Sequence, residues 1–197
     1  LCNHGCFFCA YSTGFRVKDG GEMEHVKTEM HEDMKESDLI PTDKMFEILD
    51  DLSAIGVKAI TYSGGGEPLM HKDIVQIMRK TLDLDIDLSI ITNGQNLAKD
   101  RAETLKHAKW VRVSIDYTNP AQFKKFRNVS EKGFDSVISN ISKFAKLKNK
   151  DCDLGVNFIV HKDNYSNLFD IARILKDSGV ENVRFSPMFV PEFYEYH

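Results

Sequence analysis

Val57-Lys-Ala-Ile-Thr-Tyr-Ser-Gly-Gly-Gly-Glu-Pro68 decides the fold. Its first six residues, Val57 to Tyr62, form a short run rich in β-branched and aromatic side chains, the pattern of a buried strand. The glycines and Pro68 break that run into a turn. From about His71 to Leu82 the period changes to that of a helix, with apolar positions at Ile74, Val75, Met78 and Leu82. Strand, tight turn and helix make one βα unit.

The unit repeats in both directions. Upstream, Met45, Phe46, Leu49, Leu52 and Ile55 fall on one helix face, with Thr42 as N-cap and Gly56 as terminator. Downstream, Ile86 to Thr92 reads as a strand, and Leu97, Arg101, Ala102, Leu105 and Ala108 as a helix. Val111 to Ile115 is the next strand, followed by a helical stripe at Phe134, Val137, Ile138, Ile141, Phe144 and Ala145. Leu154 to Val160 is a strand; Leu168, Ile171, Ala172 and Leu175 mark a helix stopped at Gly179; Val183 to Ser186 is the last strand. Such alternation implies right-handed βαβ crossovers and a parallel sheet. Five strands are visible, and a sixth is expected just before Cys2. The chain reads as one domain, residues 1–197, cut from something longer. Residues 10–40 show no clean period and read as a long irregular loop, in which His25 and His31 are expected to be solvent-exposed.

The 197 residues suffice for one hydrophobic core. Against 30 Asp and Glu stand 26 Lys and Arg, a net charge of −4, so no global signal points to nucleic acid or an anionic membrane. Basic clusters at Lys124-Lys125-Phe126-Arg127 and from Lys143 to Lys150 read as solvated helix surface. No apolar run approaches the roughly 20 residues that span a bilayer. The four cysteines are not dispersed as in a secreted disulfide scaffold. A cytoplasmic, reducing setting is therefore expected.

Three of those cysteines, Cys2, Cys6 and Cys9, stand in the pattern C-x3-C-x2-C. All three thiolates can turn toward one metal centre, one fewer than the four that close a [4Fe–4S] cluster. A cluster held by three keeps one iron open, much as catalytic zinc keeps an open position. The alternative is an iron–sulfur or zinc module whose fourth ligand comes from His4, His25 or the distant Cys152. Cys152, which has no cysteine neighbour, reads as a small buried side chain.

In parallel α/β folds chemistry gathers at the carboxyl ends of strands. Gly64-Gly65-Gly66-Glu67-Pro68 follows one such end, Thr92-Asn93-Gly94 the next, and Ser114-Ile115-Asp116 the one after, while Asn157 lies within a strand. Successive glycines let a backbone approach a ligand closely. Glu67 supplies an anionic acceptor suited to an ammonium group.

Cys2 to Cys9, G-G-E-P at Gly65 to Pro68, T-N-G at Thr92 to Gly94 and S-I-D at Ser114 to Asp116 together resemble the radical S-adenosylmethionine (SAM) enzymes, in the family's order and across essentially the whole chain. The resemblance implies a partial (β/α)6 TIM-like barrel, here without its first strand. It implies that Cys2, Cys6 and Cys9 ligate three irons of a [4Fe–4S] cluster and that the methionine part of SAM chelates the fourth. Phe8 would lie near adenine, with Gly65, Gly66 and Glu67 at the SAM amino group. Ser114, Asp116 and Asn93 would meet ribose hydroxyls or the SAM carboxylate, Arg127 would approach that carboxylate, and Asn157 is a further candidate. The implied reaction is reductive cleavage of SAM to a 5′-deoxyadenosyl radical that abstracts hydrogen. The cluster would be oxygen-labile and fed by a low-potential donor of the flavodoxin or ferredoxin kind. Nucleotide, sugar, peptide and protein glycyl substrates all stay open, and no residue is singled out as catalytic.

Overall fold

The computed structural model describes residues 2–6, 8–9, 14–17, 23–26 and 39–188. An antiparallel strand pair stands inside the stretch that the sequence reads as irregular: β1 (Gly14–Val17) pairs with β2 (Met23–Val26), Gly14 opposite Val26 and Val17 opposite Met23. Four-residue strands are too short to display a period, and Gly20-Gly21 between them was the legible turn signal. His25 lies in β2; the side chain of His25 and all of His31 fall outside what is described.

The remaining elements run α1 (Thr42–Ala54), β3 (Ala59–Tyr62), α2 (Ile74–Asp83), β4 (Asp87–Thr92), α3 (Lys99–Leu105), β5 (Trp110–Ile115), α4 (Pro120–Arg127), α5 (Gly133–Leu147), β6 (Asp153–Val160), α6 (Leu168–Asp177) and β7 (Asn182–Pro187). Strands β3 to β7 form one sheet in the order β3-β4-β5-β6-β7, with every pair parallel. Spatial order follows sequence order without reversal. Right-handed crossovers then place every connecting helix on the same face of the sheet. A doubly wound sheet would instead reverse at a switch point, and none occurs among the described strands.

The helix-covered face is the core. Leu88 and Ile90 of β4, Val111, Val113 and Ile115 of β5, and Leu154, Val156 and Phe158 of β6 are buried against Met78, Leu105, Phe123, Phe126, Ile141, Phe144 and Leu175 of the helices. Each such side chain contributes about 1.5–3 kcal/mol by leaving water. The intervening residues of β5, namely Trp110, Arg112 and Ser114, face the other way and are only half-buried. One face of the sheet is therefore apolar and covered; the other is mostly polar, with Ile91 and Ile159 half-buried on it, and is bare of helices among the described residues.

Several boundaries differ from the sequence reading. Pro41, not Thr42, occupies the N-cap of α1; the Thr42 hydroxyl donates to Asp73 at the start of α2. Helix α2 begins at Ile74 because Pro68–Met70 first form a 3-10 turn capped by the Glu67 carboxylate. Gly56 and Gly179 stop their helices with φ of +83° and +85°, as expected. Helix α4 is an addition, started by Asn119, whose side chain accepts from the Gln122 N–H, with Pro120 in the first turn. It corrects the reading of Lys124 to Arg127 as surface. Lys124 and Lys125 do face solvent, but Phe126 and Arg127 turn inward and are buried. Lys148 in the second basic cluster also turns back, its ammonium donating to the Cys152 carbonyl (2.6 Å) and to Glu181 (2.9 Å).

Candidate functional site

The cysteine loop lies against the carboxyl ends of β4 and β5 and is tied to each. On the β4 side, Asn93 Nδ2 donates to Asn3 Oδ1 at 2.7 Å and stands 4.0 Å from Cys2 Sγ. On the β5 side, Arg127 Nη1 donates to Cys6 Sγ at 3.3 Å, and the Arg127 carbonyl accepts the Gly5 N–H at 2.8 Å. The His4 N–H points at Cys2 Sγ (3.5 Å), and a turn joins the Cys9 N–H to the Cys6 carbonyl (3.1 Å). N–H donors aimed at sulfur favour thiolate over thiol. Burial acts against this: the Cys6 thiol is pushed up to about 12, with Arg127 pulling it back, and Cys2 is raised as well. A positive iron centre is what would hold both as thiolates.

Behind these contacts stand two buried carboxylates. Glu67 sits in the turn after β3, where its Oε1 accepts the Leu69 N–H (3.1 Å) and the Thr92 hydroxyl (2.6 Å), and its Oε2 accepts the Asn93 N–H (2.6 Å). It thus welds the β3 turn to the end of β4. Burial raises its pKa and these three bonds draw it down. Three donors leave a carboxylate one acceptor direction for a ligand cation. Thr92 and Asn3, which the sequence reading passed over, are parts of this brace; T-N-G and the residue after the first cysteine were the available signals. Of the three glycines, Gly64 adopts positive φ (+138°), whereas Gly65 and Gly66 do not.

Asp116, just beyond β5, is fully buried and bonded through Oδ1 to Arg127 Nε at 2.6 Å and Nη2 at 2.5 Å. Arg127 Nη2 also donates to the Ser114 carbonyl at 2.8 Å. Burial pushes the Asp116 carboxyl up and the guanidinium pulls it down, while Asp116 holds Arg127 protonated. Arg127 is thus buried rather than on the surface, a planar hub joining Asp116, Ser114 and Cys6. Phe8 lies over it, ring centroid 5.7 Å from the guanidinium carbon. The second Asp116 oxygen, Oδ2, is buried and lacks a partner among the described residues, an acceptor suited to a ligand hydroxyl or amine. Ser114 and Asn157 are paired across β5 and β6 on the bare face. The site therefore brings Cys2, Cys6, Glu67, Asn93, Asp116 and Arg127 into one network. Cys152 is buried far along the chain from it, its Sγ facing the Leu105 carbonyl.

Among the described residues no three His, Cys, Asp or Glu side chains converge as donors to one metal ion. Ligands to separate irons of a cluster stand farther apart than donors to a single ion. His4 is turned toward Gln95 (Nε2 to Oε1, 3.4 Å) and edge-on to Phe123, not toward the thiols. Burial lowers its pKa to about 4, leaving a neutral imidazole.

A parallel sheet with helices on one face and a three-cysteine loop braced at its carboxyl ends defines an α/β protein with a candidate thiolate metal centre. The sequence matches the Radical SAM superfamily over residues 1–175, and the chain belongs to that superfamily. It is 36% identical over 138 residues to a probable GTP 3′,8-cyclase of Methanocaldococcus jannaschii, an alignment covering 68% of this chain and 44% of the relative. A probable GTP 3′,8-cyclase of Methanococcus maripaludis is 31% identical over 206 residues, covering 100% of this chain and 59% of the relative. The chain thus spans about half the length of these curated relatives. Streptococcus suis SuiB bound to S-adenosylmethionine has the same fold, with a TM-score of 0.73 at 18% identity over 98% of this chain and 40% of SuiB. No helix among the described residues is long and apolar enough to cross a membrane.

Proposed function

We propose that this chain is the core of an enzyme that cleaves SAM reductively with a [4Fe–4S] cluster held by Cys2, Cys6 and Cys9, within a partial (β/α)6 barrel that includes β3 to β7. When bound, cluster and SAM together supply a one-electron cleavage that yields a hydrogen-abstracting 5′-deoxyadenosyl radical. The chain supplies ligation, orientation and exclusion of water. The observation that carries this reading is the bracing of the cysteine loop by Asn93 and Arg127, each of which is also bonded to a buried carboxylate.

Glu67, with its last acceptor direction, and the backbone at Gly65 and Gly66 are assigned to the SAM ammonium. Asp116 Oδ2 is assigned to a ribose hydroxyl, Ser114 and Asn93 to the same rim, and Phe8 to adenine. Arg127 is assigned to Cys6, and the second N–H of its Nη1, the one donor of the five not bonded among the described residues, is assigned to the SAM carboxylate. A low-potential flavodoxin or ferredoxin and a cytoplasmic setting complete the proposal. A zinc or electron-carrier module is less well supported, since His4 faces Gln95 and Cys152 faces Leu105.

The test is SAM turnover. Anaerobic reconstitution with iron and sulfide, then dithionite and SAM, is expected to yield 5′-deoxyadenosine, and none from Cys2→Ala, Cys6→Ala or Cys9→Ala. Failure of the reconstituted wild-type protein to form it would overturn the proposal. GTP, named for the two relatives, is the first substrate to try.

A further inference from the structure

The bare face of the sheet holds charge that the SAM proposal does not use. Strand alternation and register place Ser114, Asn157 and Arg184 side by side across β5, β6 and β7. Arg112 lies one repeat deeper on β5, about 6.6 Å toward the amino end at ~3.3 Å per residue, and is paired with Gly155. Arg112 is half-buried and Arg184 is exposed, and neither makes a salt bridge among the described residues.

Arg112 stacks on Trp110, its guanidinium carbon 5.2 Å from the ring centroid, and its Nε is buried without a hydrogen-bond partner among the described residues. Asn157 Oδ1 is likewise buried and unpartnered. Among the described residues the acids on this face, Asp87 and Asp153, stand at the amino rim, and Asp153 is held by Asn182 Nδ2 at 2.8 Å and 3.0 Å. A half-buried guanidinium with no counter-charge among the described residues is unfavourable until an anion supplies one. Arginine presents a planar fork that matches carboxylate and phosphate alike.

We propose that Arg112, Asn157 and Arg184 form an anion site on the bare sheet face that binds a carboxylate or phosphate of the substrate. This deepens the functional reading above by naming the substrate class. Arg112 is the anchor, Asn157 an adaptable amide beside it, and Arg184 the second cation at the open edge. The anion fixes the substrate from below, while the reacting C–H is presented to the carboxyl ends of the strands, where the cysteine loop sits.

Trp110 is the single tryptophan of the chain, so its fluorescence reports the Arg112 stack directly. The experiment titrates the protein, before and after anaerobic cluster loading, with inorganic pyrophosphate and separately with succinate. A saturable Trp110 response is expected, with affinity falling at least tenfold in Arg112→Gln and at least threefold in the exposed Arg184→Gln, and partly retained in Arg112→Lys. Response to pyrophosphate alone assigns a phosphorylated substrate, and response to succinate alone a carboxylate. No saturable response to either probe, or unchanged affinity in both Gln variants, overturns the proposal. Because the titration needs neither cluster nor SAM cleavage, its outcome is read separately from deoxyadenosine formation.

Discussion

Replacing Arg127 with leucine strikes the hub that joins the cysteine loop to β5. Arg127 is 4% exposed and its partner Asp116 0%. Removing it takes the donors from Asp116 Oδ1, the Ser114 carbonyl and Cys6 Sγ together. Asp116 is then left without a partner among the described residues on either oxygen, since Oδ2 already lacks one. Breaking a buried ion pair from one side costs about 3–5 kcal/mol, which is roughly two to four orders of magnitude in the folded-to-unfolded ratio. Most of that is the uncompensated buried charge, not lost attraction. Arg127→Leu combined with Asp116→Asn should therefore lose less than the sum of the single variants, with a coupling on the order of 2 kcal/mol. Urea unfolding of the metal-free protein, followed by far-UV circular dichroism, measures all four corners of the cycle. A loss below about 1 kcal/mol in Arg127→Leu, or strict additivity in the double variant, would refute the reasoning. Arg127→Lys should also load less iron than wild type, because one ammonium cannot present the same fork to three acceptors.

Gly94→Ala is expected to destabilise by on the order of 2–4 kcal/mol in the same unfolding assay, because Gly94 has φ +79° and a Cβ there would meet Val113 Cγ1 at 2.8 Å. Glu67→Gln turns one acceptor into a donor facing an N–H or hydroxyl, and should cost about 1–3 kcal/mol while weakening SAM binding measured by calorimetry on the cluster-loaded protein. Cys152→Ala should leave iron and sulfide content unchanged and lower stability by ~1 kcal/mol; bleaching of the visible colour in that variant would contradict the three-cysteine ligand set.

The order of strands and helices was legible because each βα unit carries a change of hydrophobic period bounded by glycine or proline, as at Val57 to Leu82. Arg127 was harder. Four charged or aromatic residues in a row look like surface, and only the 3.6-residue turn of α4 separates Lys124 and Lys125, which face solvent, from Phe126 and Arg127, which do not. Its bond to Cys6 spans 121 positions and has no local signature. The β1–β2 pair was hidden by brevity. The polar character of the bare sheet face was written in the alternation Trp110, Arg112, Ser114 against Val111, Val113, Ile115, but its meaning needed the register to β6 and β7. Glu67 was recognisable as a site residue, while its three donors, contributed by the following turn and by β4, appeared only with the fold.

Low-temperature electron paramagnetic resonance of the dithionite-reduced, cluster-loaded protein, recorded with and without SAM, tests the open-iron arrangement most directly. The expected result is a reduced-cluster signal that shifts when SAM is added. A cluster signal indifferent to SAM would contradict a cluster held by three cysteines with its fourth iron open.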